Sequence, residues 1–169
     1  MHVPRHARLV ALCAAFLVVA AALSGCGGKS GDSGAADADK RRVADYLRTF
    51  LIERDWQRWP DYFAPEVTLN GSELALQIMR GTADGLNFSF ADLKLTIREQ
   101  IAEPQRVATS FVVEGLHEHP FNDQPATHRR LEIDGFAFDR FEGGKIVESR
   151  LFLDVLGLSR RAAAAAASP

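Results

Sequence analysis

The sequence predicts one α+β domain, in which helices come first and an antiparallel sheet follows. Two observations carry this prediction. Apolar residues recur at three- and four-residue spacing over residues 43–51, which is typical of an amphipathic helix. Residues 136–158 instead alternate apolar and polar side chains on both sides of Glu142-Gly143-Gly144, which is typical of a β-hairpin. Helices followed by a meander of strands favour an antiparallel sheet with helices on one side.

The N-terminal residues 1–25 read as an export signal. Arg5 and Arg8 precede an apolar run over residues 9–23, which is shorter than the about 20 residues that span a bilayer. Leu23-Ser24-Gly25-Cys26 resembles the lipobox of bacterial lipoproteins, in which cleavage before the Cys leaves that residue lipidated. We therefore expect a membrane-anchored lipoprotein of the bacterial cell envelope, facing the periplasm or the exterior. An ordinary secretory signal with a coincidental Cys remains the alternative.

Residues 26–39 are predicted to form a flexible lipidated tether, because they are rich in Gly, Ser, Ala and Asp. Cys13 would leave with the signal and Cys26 would carry lipid, so no thiol remains for a disulfide. The signal holds two Arg and no acidic residue, so its removal changes 20 basic against 22 acidic residues to 18 against 22. This acidic balance gives no indication of nucleic acid as a partner.

The predicted domain covers residues 40–161 and begins with the amphipathic helix. Trp56, Trp59 and Tyr62 follow at threefold spacing, and we interpret them as core packing rather than as a platform for a ligand. A short strand is predicted over residues 67–70, and Ser72 then starts a second helical stretch toward Gly81 or Gly85.

The rest of the domain is predicted to consist of strands. Residues 93–98 alternate, a turn follows, and residues 107–116 return. A polar loop over residues 117–127 leads to the hairpin of residues 131–141 and 145–156. Residues 162–169 are an Ala-rich, low-complexity tail to which we assign no structure.

The loop of the hairpin determines which side chains share a face. With a three-residue loop, Phe136, Phe138 and Arg140 of the first strand share one face with four residues that follow the loop. A group of aliphatic residues then shares the other face. A two-residue Gly143-Gly144 loop would move Phe136 and Phe138 to the opposite face. The four residues after the loop are Ile146, Arg150, Phe152 and Asp154, and the aliphatic set is Ile133, Ala137, Val147, Leu151, Leu153 and Val155.

Several stretches together resemble the SnoaL-like polyketide and ester cyclases of the nuclear transport factor 2-like superfamily. They occur in the family's order between residues 42 and 158, and they are residues 55–67, 90–93, 115–117, 124–130 and 141–157. The resemblance implies a cone-shaped domain, in which a curved sheet and N-terminal helices enclose an apolar pocket. In the characterised cyclases an Asp near the end of the last strand is the acid/base. The resemblance implies the same role for Asp154, which matches that position.

The sequence departs from the family pattern at two places. After Glu148 the family usually has His, Trp and Asp, whereas this chain has Ser149, Arg150 and Leu151. After Ala126-Thr127 it has His128 in place of the usual Gly.

Asp154 is the predicted catalytic residue, since a carboxyl in an apolar pocket has a raised pKa that suits proton transfer. The alternative is that Asp154 is partly wet and pairs with Arg140 or Arg150, which would lower its pKa. The other predicted pocket residues are Asn70, His117, Phe136, Phe138, Arg140, Arg150 and Phe152. For Asn70 a role as a strand-end turn residue is the favoured alternative.

No metal or cofactor is predicted. His117 and His119 are two residues apart and His128 follows, but no Cys or carboxylate cluster completes a ligand set. Gly143 and Gly144 are turn glycines, and neither a phosphate-binding nor a nucleophile motif is present.

Two classes of function remain. The favoured one is a membrane-anchored pocket that binds a small hydrophobic or acidic molecule. The alternative is a cyclase- or isomerase-type enzyme that uses Asp154 on a carbonyl compound. We also expect a homodimer through the outer side of the sheet, with Val147, Leu151, Leu153 and Val155 as the apolar patch.

Overall fold

The computed structural model describes residues 30–122 and 124–166. The helical part is α1 (Ser30–Arg48), a π-helical turn (Thr49–Glu53), a 3₁₀ turn (Trp56–Arg58) and α2 (Trp59–Tyr62). β1 (Phe63–Leu69) and α3 (Ala75–Ser89) follow. The remaining elements are β2 (Phe90–Glu103), β3 (Arg106–His117), β4 (Arg130–Glu142), β5 (Lys145–Leu153) and α4 (Val155–Ala166).

Helix α1 begins earlier than the sequence pattern indicated. Residues 30–39 are helical, which corrects the predicted flexible tether from Ser30 onward. Ala35, Ala36 and Ala38 are strong helix formers, so the helix extends outward from the buried Val43 and Tyr46. The predicted signal, Cys26 and the rest of the tether lie outside the described residues.

The aromatic residues after α1 form the core packing that their spacing predicted. The ring of Phe50 stacks on Trp56 with centroids 5.1 Å apart, and Trp59 stacks on Phe63 at 3.9 Å. Tyr62 meets Phe50 edge-on at 5.5 Å. These pairs hold the end of α1 against α2 and the start of β1.

The five strands form one sheet in the order β1-β5-β4-β3-β2. The pairs from β2 to β5 are antiparallel, as predicted, while the edge strand β1 runs parallel to β5. A parallel pair is possible here because the chain between β1 and β5 is long enough for a crossover. The predicted α+β class and curved sheet are confirmed.

The hairpin between β4 and β5 differs from the three-residue loop that we favoured. Glu142 pairs with Lys145 around a two-residue loop, and both Gly143 and Gly144 have positive φ, 54° and 76°, as a type I′ turn requires. Val147 is then an extra residue in β5, because Phe141 pairs with Ile146 and Arg140 with Glu148.

This bulge restores the predicted sharing of faces for the residues of β5 that follow Val147. Phe136 pairs with Phe152 and Phe138 with Arg150, so these side chains lie together. Ile146 was predicted on that face and is instead buried beside Phe141 on the other. A one-residue insertion reverses every side chain on one side of it, and only the residues beyond Val147 follow the expected alternation.

The sheet has an inner face, which the helices cover, and an outer face. Ile133, Ala137 and Phe141 of β4 are buried on the inner face, while Phe136 and Phe138 are about half exposed on the outer one. Leu151, Leu153 and Val155 also pack against the core. The aliphatic set is therefore not the outer patch that we predicted, because the helices cover that side of the sheet.

The inner face is tightly packed where β3 meets β4. Gly135 lies opposite Phe111, and a Cβ at residue 135 would come within 2.3 Å of the Phe111 ring. The absence of a side chain at Gly135 thus makes room for a ring that is fully buried.

Helix α4 replaces the end of the strand and the unassigned tail that the sequence suggested. Its residues 162–166 are helical, and Leu158 and Ala162 are buried in the core. The high helix propensity of Ala explains why the low-complexity run continues the helix. Among the described residues, no helix combines the length and the apolar character needed to span a bilayer.

Candidate functional site

A cavity of about 230 Å³ lies between α3 and the strands β1 and β5, and we call it the α3 cavity. Leu69 on β1, Met79 on α3 and Leu151 on β5 lie on three of its sides. Other aliphatic side chains, among them Leu51, Ile78, Leu153 and Val155, complete a mainly apolar lining.

Three polar residues line the α3 cavity: Asn70, Thr82 and Ser149. The Asn70 side chain is already engaged, since its amide nitrogen donates to the Leu151 carbonyl at 3.1 Å and its oxygen accepts from the Leu151 amide at 2.8 Å. Asn70 also has a positive φ of 45°. Asn70 therefore ends β1 and fixes it to β5, which is the alternative that we favoured for this residue.

Asp139 is a buried carboxyl on the inner face of β4, next to the α3 cavity. Its side chain is 3% exposed, and the hydroxyl of Tyr46 lies 3.2 Å from each of its oxygens. Burial raises the pKa of Asp139 to about 7, against the lowering effect of hydrogen bonds from Ser149 and Tyr46. Burial and the adjacent Asp139 also raise the pKa of Tyr46, so this hydroxyl stays protonated.

Ser149 connects this carboxyl to the α3 cavity. It is the cross-strand partner of Asp139, it is 3% exposed, and its hydroxyl acts to lower the pKa of both the Asp139 carboxyl and the Tyr46 hydroxyl. Ser149 also lines the cavity. Its hydroxyl can therefore hydrogen-bond to a bound molecule, or relay a proton between that molecule and Asp139.

Asp154, the predicted catalytic residue, caps helix α4 and does not line the α3 cavity. Its Oδ1 accepts a hydrogen bond from the Gly157 amide at 2.8 Å, and its side chain is exposed. A Cβ at residue 157 would come within 1.9 Å of Asp154 Oδ2, so Gly157 leaves the space that the cap needs. The sequence pattern missed this cap because it continued β5 through residue 156.

The predicted pocket residues Phe136, Phe138 and Phe152 are 47%, 50% and 54% exposed on the outer face, and Phe152 also lines the α3 cavity. Arg140 pairs there with Glu142 and Glu148, and Arg150 also pairs with Glu148. Phe138, Arg140, Arg150 and Phe152 line a groove on the outer face, so predicted site residues are divided between this groove and the α3 cavity. Neither Arg pairs with Asp154 in the part of the chain that the structure describes.

His117 is buried at the end of β3, away from the residues that line the α3 cavity. Its ring stacks on Phe90 with centroids 4.8 Å apart, and its Nδ1 lies 3.3 Å from the Thr127 hydroxyl. Burial lowers the pKa of His117. His119 stacks instead on Phe88, so these two histidines contact different rings.

The comparisons with known proteins bear on the same domain. The model of the SnoaL-like polyketide cyclase family matches residues 41–161. The chain belongs to this family. No curated protein matches the sequence.

Solved structures share the SnoaL-like fold. TsrD from Streptomyces laurentii has a TM-score of 0.61 at 21% identity, over 76% of this chain and 96% of its own. A SnoaL-like polyketide cyclase from Agrobacterium tumefaciens has a TM-score of 0.57 at 20% identity, over 72% and 95%. IdmH from Streptomyces antibioticus has a TM-score of 0.61 at 20% identity, over 72% and 96%. These similarities confirm the nuclear transport factor 2-like fold, and at such identities they show the fold alone.

The residues of this SnoaL-like domain that the sequence pattern missed are Tyr46, Asp139 and Ser149. Asp139 follows Ala137 by two residues, so alternation alone would have placed a carboxyl on the aliphatic face. Tyr46 carried no comparable signal, since its spacing with Val43 and Leu47 is that of any core residue of a helix.

Proposed function

We propose that this SnoaL-like domain binds a small, mainly apolar molecule in the α3 cavity. The observation that carries the proposal is a mainly apolar cavity with a few polar groups, one of which, Ser149, lies across the strand pair from the buried Asp139. Small-molecule sites combine these features. A volume of about 230 Å³ favours a ligand smaller than drug-sized ones, whose pockets start at roughly 300 Å³.

A second candidate function is an acid/base enzyme of the SnoaL-like kind, which membership of the family favours. The specific observation in its support is Asp139, since a buried carboxyl with a pKa of about 7 can both give and take a proton near neutral pH. Asp154 is a poor choice for this role, because its carboxylate is exposed and caps α4.

We also propose, on the sequence pattern, that Cys26 is lipidated and anchors the domain to a bacterial membrane. Only Gly27, Gly28 and Lys29 separate Cys26 from the first residue of α1. At about 3.5 Å per extended residue, this segment would hold α1 close to the lipid surface.

A homodimer through the outer face is a further proposal, now with a different apolar patch. Phe136, Phe138 and Phe152 expose about half of each side chain, and grouped exposed rings mark interaction sites. On β4, Asp134 and Arg140 lie at equal distances in sequence from the midpoint of Phe136 and Phe138. A twofold axis at that midpoint would place Asp134 of one copy opposite Arg140 of the other, which favours a second copy as the partner.

The binding proposal is tested with two small probes, ethylbenzene and acetophenone, on the purified full chain. Met79→Trp places a large ring in the α3 cavity, and we expect it to weaken the binding of both probes at least tenfold. The matched control is Gln77→Trp, which makes the same change at an exposed position of the same helix that does not line the cavity. Equal affinity in wild type and Met79→Trp, or no binding by wild type, would overturn the proposal.

A further inference from the structure

Ser149 is the place where the α3 cavity meets the buried carboxyl. It lies directly across from Asp139 in the β4–β5 ladder, and both side chains are on the inner face. The side chain of Ser149 therefore has Asp139 on one side and the cavity on the other.

The hydrogen bonds that Ser149 and Asp139 can form depend on whether the Asp139 carboxyl is protonated. A serine hydroxyl has one hydrogen to donate and two lone pairs that accept. When Asp139 is ionised it is an acceptor only, so it takes the hydrogens of both Tyr46 and Ser149, and the cavity meets a lone pair of Ser149. When Asp139 is protonated, its own hydroxyl can donate to Ser149 Oγ, and the hydrogen of Ser149 can then point into the cavity, where a carbonyl oxygen competes with the Tyr46 hydroxyl for it.

Near neutral pH both forms of Asp139 are accessible, because burial raises its pKa to about 7. The groups packed against the carboxyl are Tyr46 from α1 and Ser149 from β5. No charged side chain of the described residues contributes to the shift. Arg140, the next residue along β4, is on the outer face and pairs with Glu142 and Glu148.

We propose that Asp139 sets the direction of the Ser149 hydroxyl, so that the α3 cavity selects ligands with a carbonyl oxygen. This inference rests on the proposed binding function and adds the chemical class of the ligand. A carbonyl oxygen accepts the Ser149 hydrogen without bringing a charge into an apolar cavity. The preference is present when Asp139 is protonated, and it is lost as the pH rises through the titration of Asp139.

The test compares acetophenone with ethylbenzene, which has a similar size and shape but lacks the carbonyl oxygen. One net hydrogen bond corresponds to a preference of roughly threefold to tenfold. We expect acetophenone to bind more tightly than ethylbenzene by this factor at pH 5, and more weakly than ethylbenzene at pH 9, where its carbonyl would lose hydration without gaining a donor. At pH 5 the carbonyl ¹³C resonance of bound, labelled acetophenone should lie further downfield in wild type than in Ser149→Ala, because a hydrogen bond deshields the carbonyl carbon.

Two variants separate the roles of the pair. Ser149→Ala should remove the preference at both pH values. Asp139→Asn should keep the preference at pH 9, because the Asn amide donates a hydrogen bond at every pH. Thr109→Val is the matched control, since Thr109 carries a buried hydroxyl that does not line the cavity, and it should leave the preference unchanged.

The outcomes distinguish this inference from the binding proposal. If neither probe binds wild type, the binding proposal fails and the inference fails with it. If both probes bind wild type equally at pH 5, binding stands and only the inference is overturned. A preference of wild type that does not change between pH 5 and pH 9 also overturns it, and neither comparison requires a variant to fold.

Discussion

The hydroxyl of Tyr46 on α1 lies 3.2 Å from both carboxyl oxygens of Asp139 on β4. The two residues are 93 positions apart, and their contact joins the first helix to the centre of the sheet. A buried carboxyl without a charged partner loses the hydration that stabilises its ionised form. The chain thus keeps a titratable group inside its core, beside the α3 cavity.

The first prediction concerns the pH dependence of stability. The pKa of Asp139 is raised from 3.8 to about 7 in the folded protein, so the folded state binds the proton more tightly than the unfolded state. The free energy of unfolding should therefore fall as pH rises between about 4 and about 7, by about 1.4 kcal/mol per pKa unit of difference.

Asp139→Asn removes this titration, and urea denaturation at pH 5 and pH 8 measures the consequence. The free energy of unfolding of the variant minus that of wild type should be larger at pH 8 than at pH 5, by up to a few kcal/mol. Asp92→Asn, at an exposed carboxyl, is the control and should show no such gain. A difference between Asp139→Asn and wild type that stays constant with pH contradicts the prediction.

The second prediction concerns Asp154. Asp154→Ala removes the acceptor for the Gly157 amide, and the loss of an N-cap costs about 1 kcal/mol. Asp154→Asn should retain most of this stability, because Asn also caps helices. Both variants should bind acetophenone as wild type does. Weaker binding of acetophenone by Asp154→Ala at unchanged stability would contradict the prediction and show that Asp154 takes part in ligand binding.

The third prediction concerns self-association. Sedimentation velocity should show wild type as a dimer, and Phe136→Ser together with Phe138→Ser should shift it to the monomer. Phe88→Ser is the control, since Phe88 is 68% exposed but lies on α3 rather than on the outer face. A monomeric wild type at high concentration would contradict the proposed dimer.

The fourth prediction concerns the N-terminus. Cys26→Ser should release the protein from bacterial membranes or block its maturation, since Ser has no thiol to carry lipid. Cys13→Ser changes the other Cys, within the predicted signal, and should leave fractionation unaltered. If Cys26→Ser matures and fractionates with membranes as wild type does, the anchor is not at Cys26.

Residue patterns predicted the class of fold and much of the hairpin, because helix periodicity and strand alternation are local signals. The side of the sheet that the helices cover is not local, since it depends on where α1 and α3 pack. Phe136 and Phe138 were correctly placed on one face, yet neither of them lines the α3 cavity, for this reason. The bulge at Val147 was equally hidden, because one extra residue leaves no mark in the sequence.

The candidate site shows the same limit. The resemblance to the family directed attention to Asp154, whose position after β5 is also that of a helix cap. Asp139 was missed because Tyr46 and Ser149, its two partners, come from α1 and β5. Contacts between elements so far apart in the chain require the folded structure.

The measurement that tests the central claim most directly is a ¹³C NMR titration of the Asp139 carboxyl in the full chain, with Asp139→Asn to assign its resonance. A protonated carboxyl between Tyr46 and Ser149 predicts a midpoint at about pH 7. A midpoint at or below about 4, the range of an ordinary Asp, would show that this carboxyl is ionised at neutral pH, and would contradict both the hydroxyl switch and an acid/base role for Asp139.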